Sequence, residues 1–218
     1  MTQDIRAVLF DFGGVILSSP IDGFHAYERA AGLPPRFLQT LNTVDPDRNA
    51  WACAERGEID ADTFYARFEA EALARGHAID ARAVTRTLTG TIRPEMVDAV
   101  RALRPRYRTA CLTNNMHLGQ GTAMSPTSGL AAEIAAAMTV FDHVVESRVI
   151  GTRKPEVAFF ERACAIVGVA PEHCVFLDDL GVNLKTARAL GMVTIKVGDP
   201  AVALAELAAV LAAAGAGS

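Results

Sequence analysis

The stretch FLDDLGVNLKTARALGMVTI, residues 176–195, carries the pattern from which the fold of this chain can be predicted. Two adjacent acids, Asp178 and Asp179, end a short apolar run. Apolar residues at helical spacing follow and stop at Gly191, and a second apolar run occupies 193–197. A strand, a helix and a second strand in this order predict a βαβ unit with parallel strands.

The same alternation recurs through most of the chain. Predicted strands, each short and apolar, lie at 5–10, 109–112, 143–145, 174–177 and 193–197. Helical patterns separate them. Alternating strands and helices predict an α/β fold with a Rossmann-like, doubly wound parallel sheet. In such a sheet, ligands bind at the carboxyl ends of the strands, near the point where the strand order reverses.

The segment 19–91 interrupts this alternation, because its apolar residues recur at helical spacing only. We interpret this segment as a helical cap subdomain that is inserted after the first strand, and we call it the cap insert. The core would then comprise 1–18 and 92–218. Hinges between the core and the cap insert are expected near 18–20 and 91–94.

Composition narrows the class of protein. Half of the 218 residues are hydrophobic, enough for a substantial core, and the formal net charge of -4 gives no bias towards nucleic acid or an anionic membrane. No apolar stretch is long enough to span a bilayer. The four cysteines form no CxxC pair, which favours reduced thiols and a cytoplasmic location. A loop at 119–129 is predicted to be mobile, and the oligomeric state is not predicted.

Asp11, Gly13 and Gly14 directly follow the first predicted strand. A carboxylate in this position is presented at the strand end, and glycines allow positive φ and let a ligand approach the backbone. Taken alone, this stretch fits a nucleophile site and an ordinary strand-to-turn junction about equally well.

Two further polar stretches are weak indications when each is taken alone. Thr113 and Asn114 follow the second predicted strand, where a hydroxyl and N–H groups can hold a phosphoryl oxygen, but both residues are also common in turns. Lys154 precedes a predicted helix whose first turn would contain Pro155 and Glu156. It could reach a carboxylate and a phosphate as a fixed positive charge, or it could belong to a solvated basic pair.

The acid pair Asp178 and Asp179 gives the strongest single indication of function. Adjacent carboxylates at a strand end repel each other unless a cation or a proton lies between them. A hard divalent cation such as Mg²⁺ is the simplest partner. The alternative is a pair of solvent-exposed acids that precede the next helix.

Taken together and in this order, the four stretches resemble the motifs of the haloacid dehalogenase (HAD) superfamily of hydrolases. The likeness covers essentially the whole chain. It is strongest to the phosphatase-like N-terminal domain of soluble epoxide hydrolases and its stand-alone bacterial relatives. LTNN at 112–115, RKPE at 153–156 and the long stretch 176–195 carry this resemblance. It implies subfamily I, with a small helical cap after the first motif.

The resemblance implies a Mg²⁺-dependent phosphatase that acts on a small phosphorylated metabolite. Asp11 would be the nucleophile and would form an aspartyl-phosphate. Thr113 and the main-chain amide of Asn114 would bind the phosphoryl oxygens. Lys154 would bind the phosphate as well, and would neutralise charge on it and on the nucleophile.

The resemblance also implies a metal site. The implied Mg²⁺ ligands are Asp11, the main-chain carbonyl of Gly13, Asp178 and Asp179. Asn183 would brace this site without touching the metal. The metal would spread the charge of the transferring group and align it with the nucleophile.

Position 13 departs from the family pattern. Phosphatases of the superfamily usually carry a second Asp two residues after the nucleophile, which protonates the leaving oxygen and later activates water. Gly13 keeps only the carbonyl, and a general acid–base group is typically worth about 10²–10⁴-fold in rate. Three outcomes are open: a substrate with a good leaving group, a substitute such as His25 or His117, or weak activity. Both histidines fit surface positions better than a catalytic role.

Two other functions stay open at this point. A C–halogen hydrolase would use Asp11 as an SN2 nucleophile without a metal, although the acid pair would repel a carboxylate substrate. A non-catalytic protein that binds a phosphorylated ligand would also account for Gly13. Dependence of turnover on a metal would separate the phosphatase from both alternatives.

Overall fold

The computed structural model describes residues 4–88, 90–116 and 128–215. The strands are β1 (Ala7–Phe10), β2 (Arg108–Thr113), β3 (His143–Glu146), β4 (Cys174–Asp178) and β5 (Val193–Lys196). The helices are α1 (Ile21–Ala31), α2 (Phe37–Thr43), α3 (Ala50–Glu55), α4 (Ala61–Leu73), α5 (Ala81–Arg86), α6 (Pro94–Leu103), α7 (Ser128–Met138), α8 (Ser147–Ile150), α9 (Val157–Val167), α10 (Gly181–Ala189) and α11 (Pro200–Gly215).

The five strands form one parallel sheet in the order β3-β2-β1-β4-β5. β1 lies at the centre, and its last residue, Phe10, pairs with Cys111 of β2 and with Leu177 of β4. The chain first builds outward through β2 and β3 and then returns to the other side of β1. The predicted fold class, a doubly wound parallel α/β sheet, is therefore confirmed. The strand order reverses between β1 and β4, where a ligand site is expected.

Both faces of the sheet are covered by helices, which explains why its strands are apolar runs. Side chains alternate along β1, so Val8 and Phe10 pack on one face in an apolar cluster with α6, α7 and α11. Ala7 and Leu9 pack on the other face with α9 and α10. All four residues of β1 are fully buried. The centre of the sheet is thus tightly packed, and it fixes the position of the residues that follow Phe10.

The helices α1 to α5 lie within the cap insert and pack around an apolar cluster of their own, which includes Phe24, Phe64 and Phe68. The two chain segments that connect the cap insert to the core lie side by side. Ser18 N of one segment donates a hydrogen bond to Thr91 O of the other at 2.9 Å. The separate apolar cluster and this hydrogen bond support boundaries at 18/19 and 91/92. The exact boundaries of the cap insert stay a prediction.

The helix that follows Lys154 begins later than the sequence predicts. α9 starts at Val157, so Pro155 lies outside its first turn, and Glu156 is the residue that precedes the helix. The Lys154–Pro155 peptide bond is cis. The Glu156 carboxylate accepts a hydrogen bond from Thr152 Oγ1. The Glu156 side chain therefore orders the loop that carries Lys154 and does not lie within the first helical turn.

Three further expectations concern the cysteines, membrane-spanning segments and the loop at 119–129. The four cysteines are buried and free. None of the helices in the described part of the chain is long and apolar enough to cross a membrane. The predicted mobile loop at 119–129 lies, as far as residue 127, outside the described residues.

Candidate active site

Three carboxylates meet at the carboxyl end of the sheet. Asp11 directly follows β1, Asp178 is the last residue of β4, and Asp179 comes next. Because β1 and β4 are neighbouring parallel strands, their ends lie side by side. One oxygen of each carboxylate lies within 4.8 Å of the other two. The structure thus brings together the acids that the sequence singled out.

Lys154 supplies positive charge to this group of acids. It reaches the site from the loop between α8 and α9, and its side chain is only 1% exposed. Its Nζ lies 2.7 Å from Asp11 Oδ1 and 2.9 Å from Asp178 Oδ2. A lysine is rarely buried unless it is paired, so these two contacts account for its position.

Asp178 is held by hydrogen bonds from several directions. Its Oδ1 accepts a hydrogen bond from Leu180 N at 2.7 Å. The side-chain amide of Asn183 donates to both of its oxygens, at 3.1 and 3.0 Å. Asn183 is itself buried on the first turn of α10. Asn183 thus contacts one of the acids, and its bracing role at a metal site stays a prediction.

The loop after β1 approaches Asp179 closely. Gly14 has φ +80°, and a Cβ atom built there would lie 2.3 Å from Asp179 Oδ2. Arg93 Nη1 donates a hydrogen bond to Gly14 O at 2.6 Å, which fixes the loop from the second hinge. Only glycine fits this position, because both the backbone conformation and the space exclude a side chain.

Burial and mutual repulsion determine the charge state of the site. Burial raises the pKa of Asp11 to about 8; Asp178 and Asp179 add to this rise and Lys154 opposes it. Burial and the charge of Asp178 raise the pKa of Asp179 to about 6. Burial alone would lower the pKa of Lys154, but Asp11 and Asp178 offset that and raise it.

The site therefore has an excess of negative charge that one lysine does not balance. Its donor atoms are carboxylate oxygens, which suit Mg²⁺ better than a softer metal ion. The residues present fit a hard divalent cation, whose charge would favour the ionised form of all three acids.

Thr113 and Asn114 lie beside the acids, because β2 is the other neighbour of β1. Thr113 is the buried last residue of β2. The side chain of Asn114 has a role that the sequence did not indicate. Its Nδ2 donates to Lys154 O and its Oδ1 accepts from Lys154 N, each at 2.9 Å. Asn114 thus holds the main chain of Lys154.

Glu55, at the end of α3 in the cap insert, is a second residue that sequence reasoning missed. Its carboxylate accepts a hydrogen bond from Asn114 Nδ2 at 3.1 Å and pairs with Arg153. No motif surrounds it in the sequence, and only the docking of the cap insert brings it near the site. Of the two histidines considered earlier, His25 lies on α1, and His117 lies outside the described residues.

Comparison with known protein families agrees with this geometry. Residues 5–191 match the haloacid dehalogenase-like hydrolase family. The chain therefore belongs to this family of hydrolases, as the resemblance in its motifs predicts.

Curated relatives extend this result. The chain is 32% identical over 215 residues to acyl-CoA dehydrogenase family member 10 of Mus musculus, covering 96% of this chain and 19% of that protein. It is 29% identical over 214 residues to bifunctional epoxide hydrolase 2 of Mus musculus, covering 93% of this chain and 38% of that protein. The chain thus spans well under half the length of these two relatives. It is 26% identical to sesquiterpene phosphatase astK of Aspergillus oryzae, covering 95% of this chain and 97% of that protein.

Solved structures share the fold. A predicted HAD-like family hydrolase from Porphyromonas gingivalis superposes with a TM-score of 0.60 at 27% identity, covering 91% of this chain and 96% of that one. The HAD family enzyme BT-2542 from Bacteroides thetaiotaomicron, solved with magnesium and inorganic phosphate, gives a TM-score of 0.57 at 18% identity, covering 89% and 94% of the two chains. At that identity the second likeness concerns the fold alone.

Proposed function

We propose that this chain is a Mg²⁺-dependent phosphatase-type hydrolase that acts on a small phosphorylated metabolite through a phosphorylated Asp11. The observation that carries the proposal is the convergence of three carboxylates at the strand ends, two of which contact one buried lysine. One similar protein adds support, because astK is named a sesquiterpene phosphatase.

In this proposal the Mg²⁺ ligands are Asp11, the main-chain carbonyl of Gly13, Asp178 and Asp179. Asp179 packs against Gly14. The oxygens of Asp178 already accept hydrogen bonds, so direct coordination by Asp178 would replace one of them. The metal, when bound, would neutralise charge on the phosphoryl group and help to align it.

The proposed reaction has two steps. First, an Asp11 carboxylate oxygen attacks phosphorus, and the bond from phosphorus to the leaving oxygen breaks, with its electron pair staying on that oxygen. Water then attacks phosphorus, and the bond from phosphorus to the Asp11 oxygen breaks. The protons of water leave with inorganic phosphate, and Asp11 is regenerated as a carboxylate. Thr113 Oγ1 and the Asn114 amide would hold the phosphoryl oxygens, and Lys154 would offset the negative charge that Asp11 and the phosphoryl group bring together.

Gly13 narrows the class of substrate in this proposal. It offers no carboxyl group to protonate the leaving oxygen, and such a group is typically worth about 10²–10⁴-fold in rate. A carboxylate leaves as a stable anion, and an anomeric hydroxyl is more acidic than a simple alcohol. Acyl and anomeric phosphates therefore depend less on protonation of the leaving oxygen. We therefore propose them as preferred substrates over simple alkyl phosphates.

Gly13 also favours a second candidate function, a non-catalytic protein that binds a phosphorylated ligand. Such a protein would keep the cation, the lysine and the phosphate contacts but would not release phosphate. A C–halogen hydrolase has less support, because Asp179 places a third negative charge beside Asp11 and Asp178 where a carboxylate substrate would bind.

We also propose a cytoplasmic location and small-molecule substrates. Four buried free thiols support a reducing compartment. The net charge of -4 gives no support for a nucleic-acid partner.

The test is release of phosphate from acetyl phosphate and from p-nitrophenyl phosphate, with and without Mg²⁺. We expect Mg²⁺-dependent turnover that is lost in Asp11→Asn and kept in Asp98→Asn, the same change at an exposed position on α6. Gly13→Asp should raise turnover of poor leaving groups. Phosphate binding without turnover would favour the binding protein, and halide release from a 2-haloacid without Mg²⁺ would favour the C–halogen hydrolase.

A further inference from the structure

Glu55 connects the cap insert to the proposed phosphate site through buried polar contacts. Its side chain is only 9% exposed. One carboxylate oxygen accepts a hydrogen bond from Trp51 Nε1 at 2.9 Å, and the other accepts from Asn114 Nδ2 at 3.1 Å and from Arg153 Nε. A residue of the cap insert therefore holds both Asn114 and the residue that precedes Lys154.

The contacts continue from Asn114 into the group of acids. Asn114 makes two hydrogen bonds to the main chain of Lys154, one to its N–H and one to its carbonyl, each 2.9 Å long. Lys154 Nζ then contacts Asp11 and Asp178. Hydrogen bonds from Glu55 through Asn114 to the Lys154 main chain, followed by the Lys154 side chain and its ion pairs, thus join Glu55 to the proposed nucleophile.

Two more contacts link the cap insert to the segment after β2. Ser147 Oγ donates to the main-chain carbonyl of Glu55 at 2.6 Å and accepts from Asn115 N at 3.0 Å. Met116 packs into the apolar cluster of the cap insert. The segment 114–116 is therefore held by the cap insert as well as by the core.

We infer that Glu55 is a positioning residue: docking of the cap insert through its carboxylate fixes Asn114, and Asn114 fixes Lys154 against the nucleophile. When the cap insert lifts, water can replace these polar contacts, because each joins groups that hydrate well. A buried carboxylate that lost only one partner would be left under-solvated, so the docked arrangement favours the full set of contacts. Lys154 is thus best placed when the cap insert covers the site. This inference rests on the proposed function.

The test uses Glu55→Gln, which keeps the shape of the side chain. Its amide has one acceptor oxygen, so it cannot accept from Trp51, Asn114 and Arg153 together. We expect kcat to fall by up to about 100-fold, because a misplacement of a catalytic group by about 1 Å can cost that much in rate. KM should rise by a smaller factor than kcat falls, because Lys154 and the Asn114 amide also contact the bound phosphate, but Lys154 offsets most negative charge in the transition state. Backbone hydrogen exchange at Lys154 should become faster.

The matched control is Glu28→Gln. It makes the same change at a buried carboxylate within the cap insert, which accepts hydrogen bonds from Arg36 N and Leu38 N, each at 2.9 Å, and it leaves the contacts of Asn114 in place. We expect kcat and Lys154 exchange to stay at the parent values. In an Asn114→Ala background, Glu55→Gln should have little further effect on kcat, since both residues act through the same contact.

The outcomes separate this inference from the proposed function. Parent-like kcat and Lys154 exchange in Glu55→Gln would overturn the inference, and so would losses equal to those of Glu28→Gln. If the parent releases no phosphate but Glu55→Gln still speeds exchange at Lys154, the positional coupling stands and the proposed function fails.

Discussion

Gly14→Ala is expected to damage the metal site through one methyl group. The backbone at Gly14 has φ +80°, so any L-residue there is strained, at a cost of roughly 1–2 kcal/mol. The new Cβ atom would also lie 2.3 Å from Asp179 Oδ2, whereas ordinary contact begins at 3.4 Å. The carboxyl group of Asp179 must therefore move by about 1 Å, and a misplacement of that size can cost about 10²-fold in rate.

Gly76→Ala separates the effect of backbone strain from the effect of the clash with Asp179. Gly76 has φ +84°, and a Cβ atom built there meets nothing within 4 Å. Both variants should lose similar backbone stability, but only Gly14→Ala should raise the Mg²⁺ concentration for half-maximal turnover, by about 10-fold or more, and lower kcat about 100-fold. Titration of Mg²⁺ against phosphate release, with thermal unfolding of each variant, measures both quantities. Equal half-maximal Mg²⁺ concentrations and equal kcat in the two variants would refute the reasoning.

Three further predictions concern Lys154 and Asn183 at the site and Asp142 away from it. Lys154→Met leaves buried carboxylates without their cation, so it should abolish turnover and destabilise the metal-free protein by about 3–5 kcal/mol in urea unfolding, with part of that loss recovered in Mg²⁺. Asn183→Ala should destabilise by about 1–3 kcal/mol and weaken Mg²⁺ activation, because it removes two hydrogen bonds from a buried acid. Burial would raise the pKa of Asp142, but hydrogen bonds from Thr109 and the charge of Arg104 lower it overall. A lowered pKa contributes stability above the unfolded pKa of about 4 that is lost as the pH falls through the folded value, so Asp142→Asn should reduce the acid sensitivity of unfolding.

The convergence of the acids could be predicted from the sequence because it needs only local information. Asp11 and Asp178 each end an apolar run, and the carboxyl ends of parallel strands share one edge of a sheet. Lys154 could be assigned from the family resemblance but not from its own spacing, since a basic pair before a helix is common on surfaces.

The contacts of Asn114 and Glu55 could not be predicted in the same way. They depend on how the cap insert docks on the core, which no periodicity records. The prediction that Pro155 and Glu156 lie in the first turn of α9 was wrong for a related reason. Pro155 belongs to the loop that turns Lys154 inward, and Glu156 orders that loop through Thr152.

The most direct test of the account is detection of a phosphoryl group on Asp11. The parent protein is mixed with acetyl phosphate and Mg²⁺, quenched in acid, digested and examined by mass spectrometry. Since Gly13 supplies no carboxylate to activate water, hydrolysis of the intermediate should be slow and the intermediate should accumulate. We predict one added phosphoryl group on the peptide that contains Asp11, absent without Mg²⁺ and in Asp11→Asn. Release of phosphate with no such group, or with the group on another residue, would contradict the assignment of Asp11 as the nucleophile.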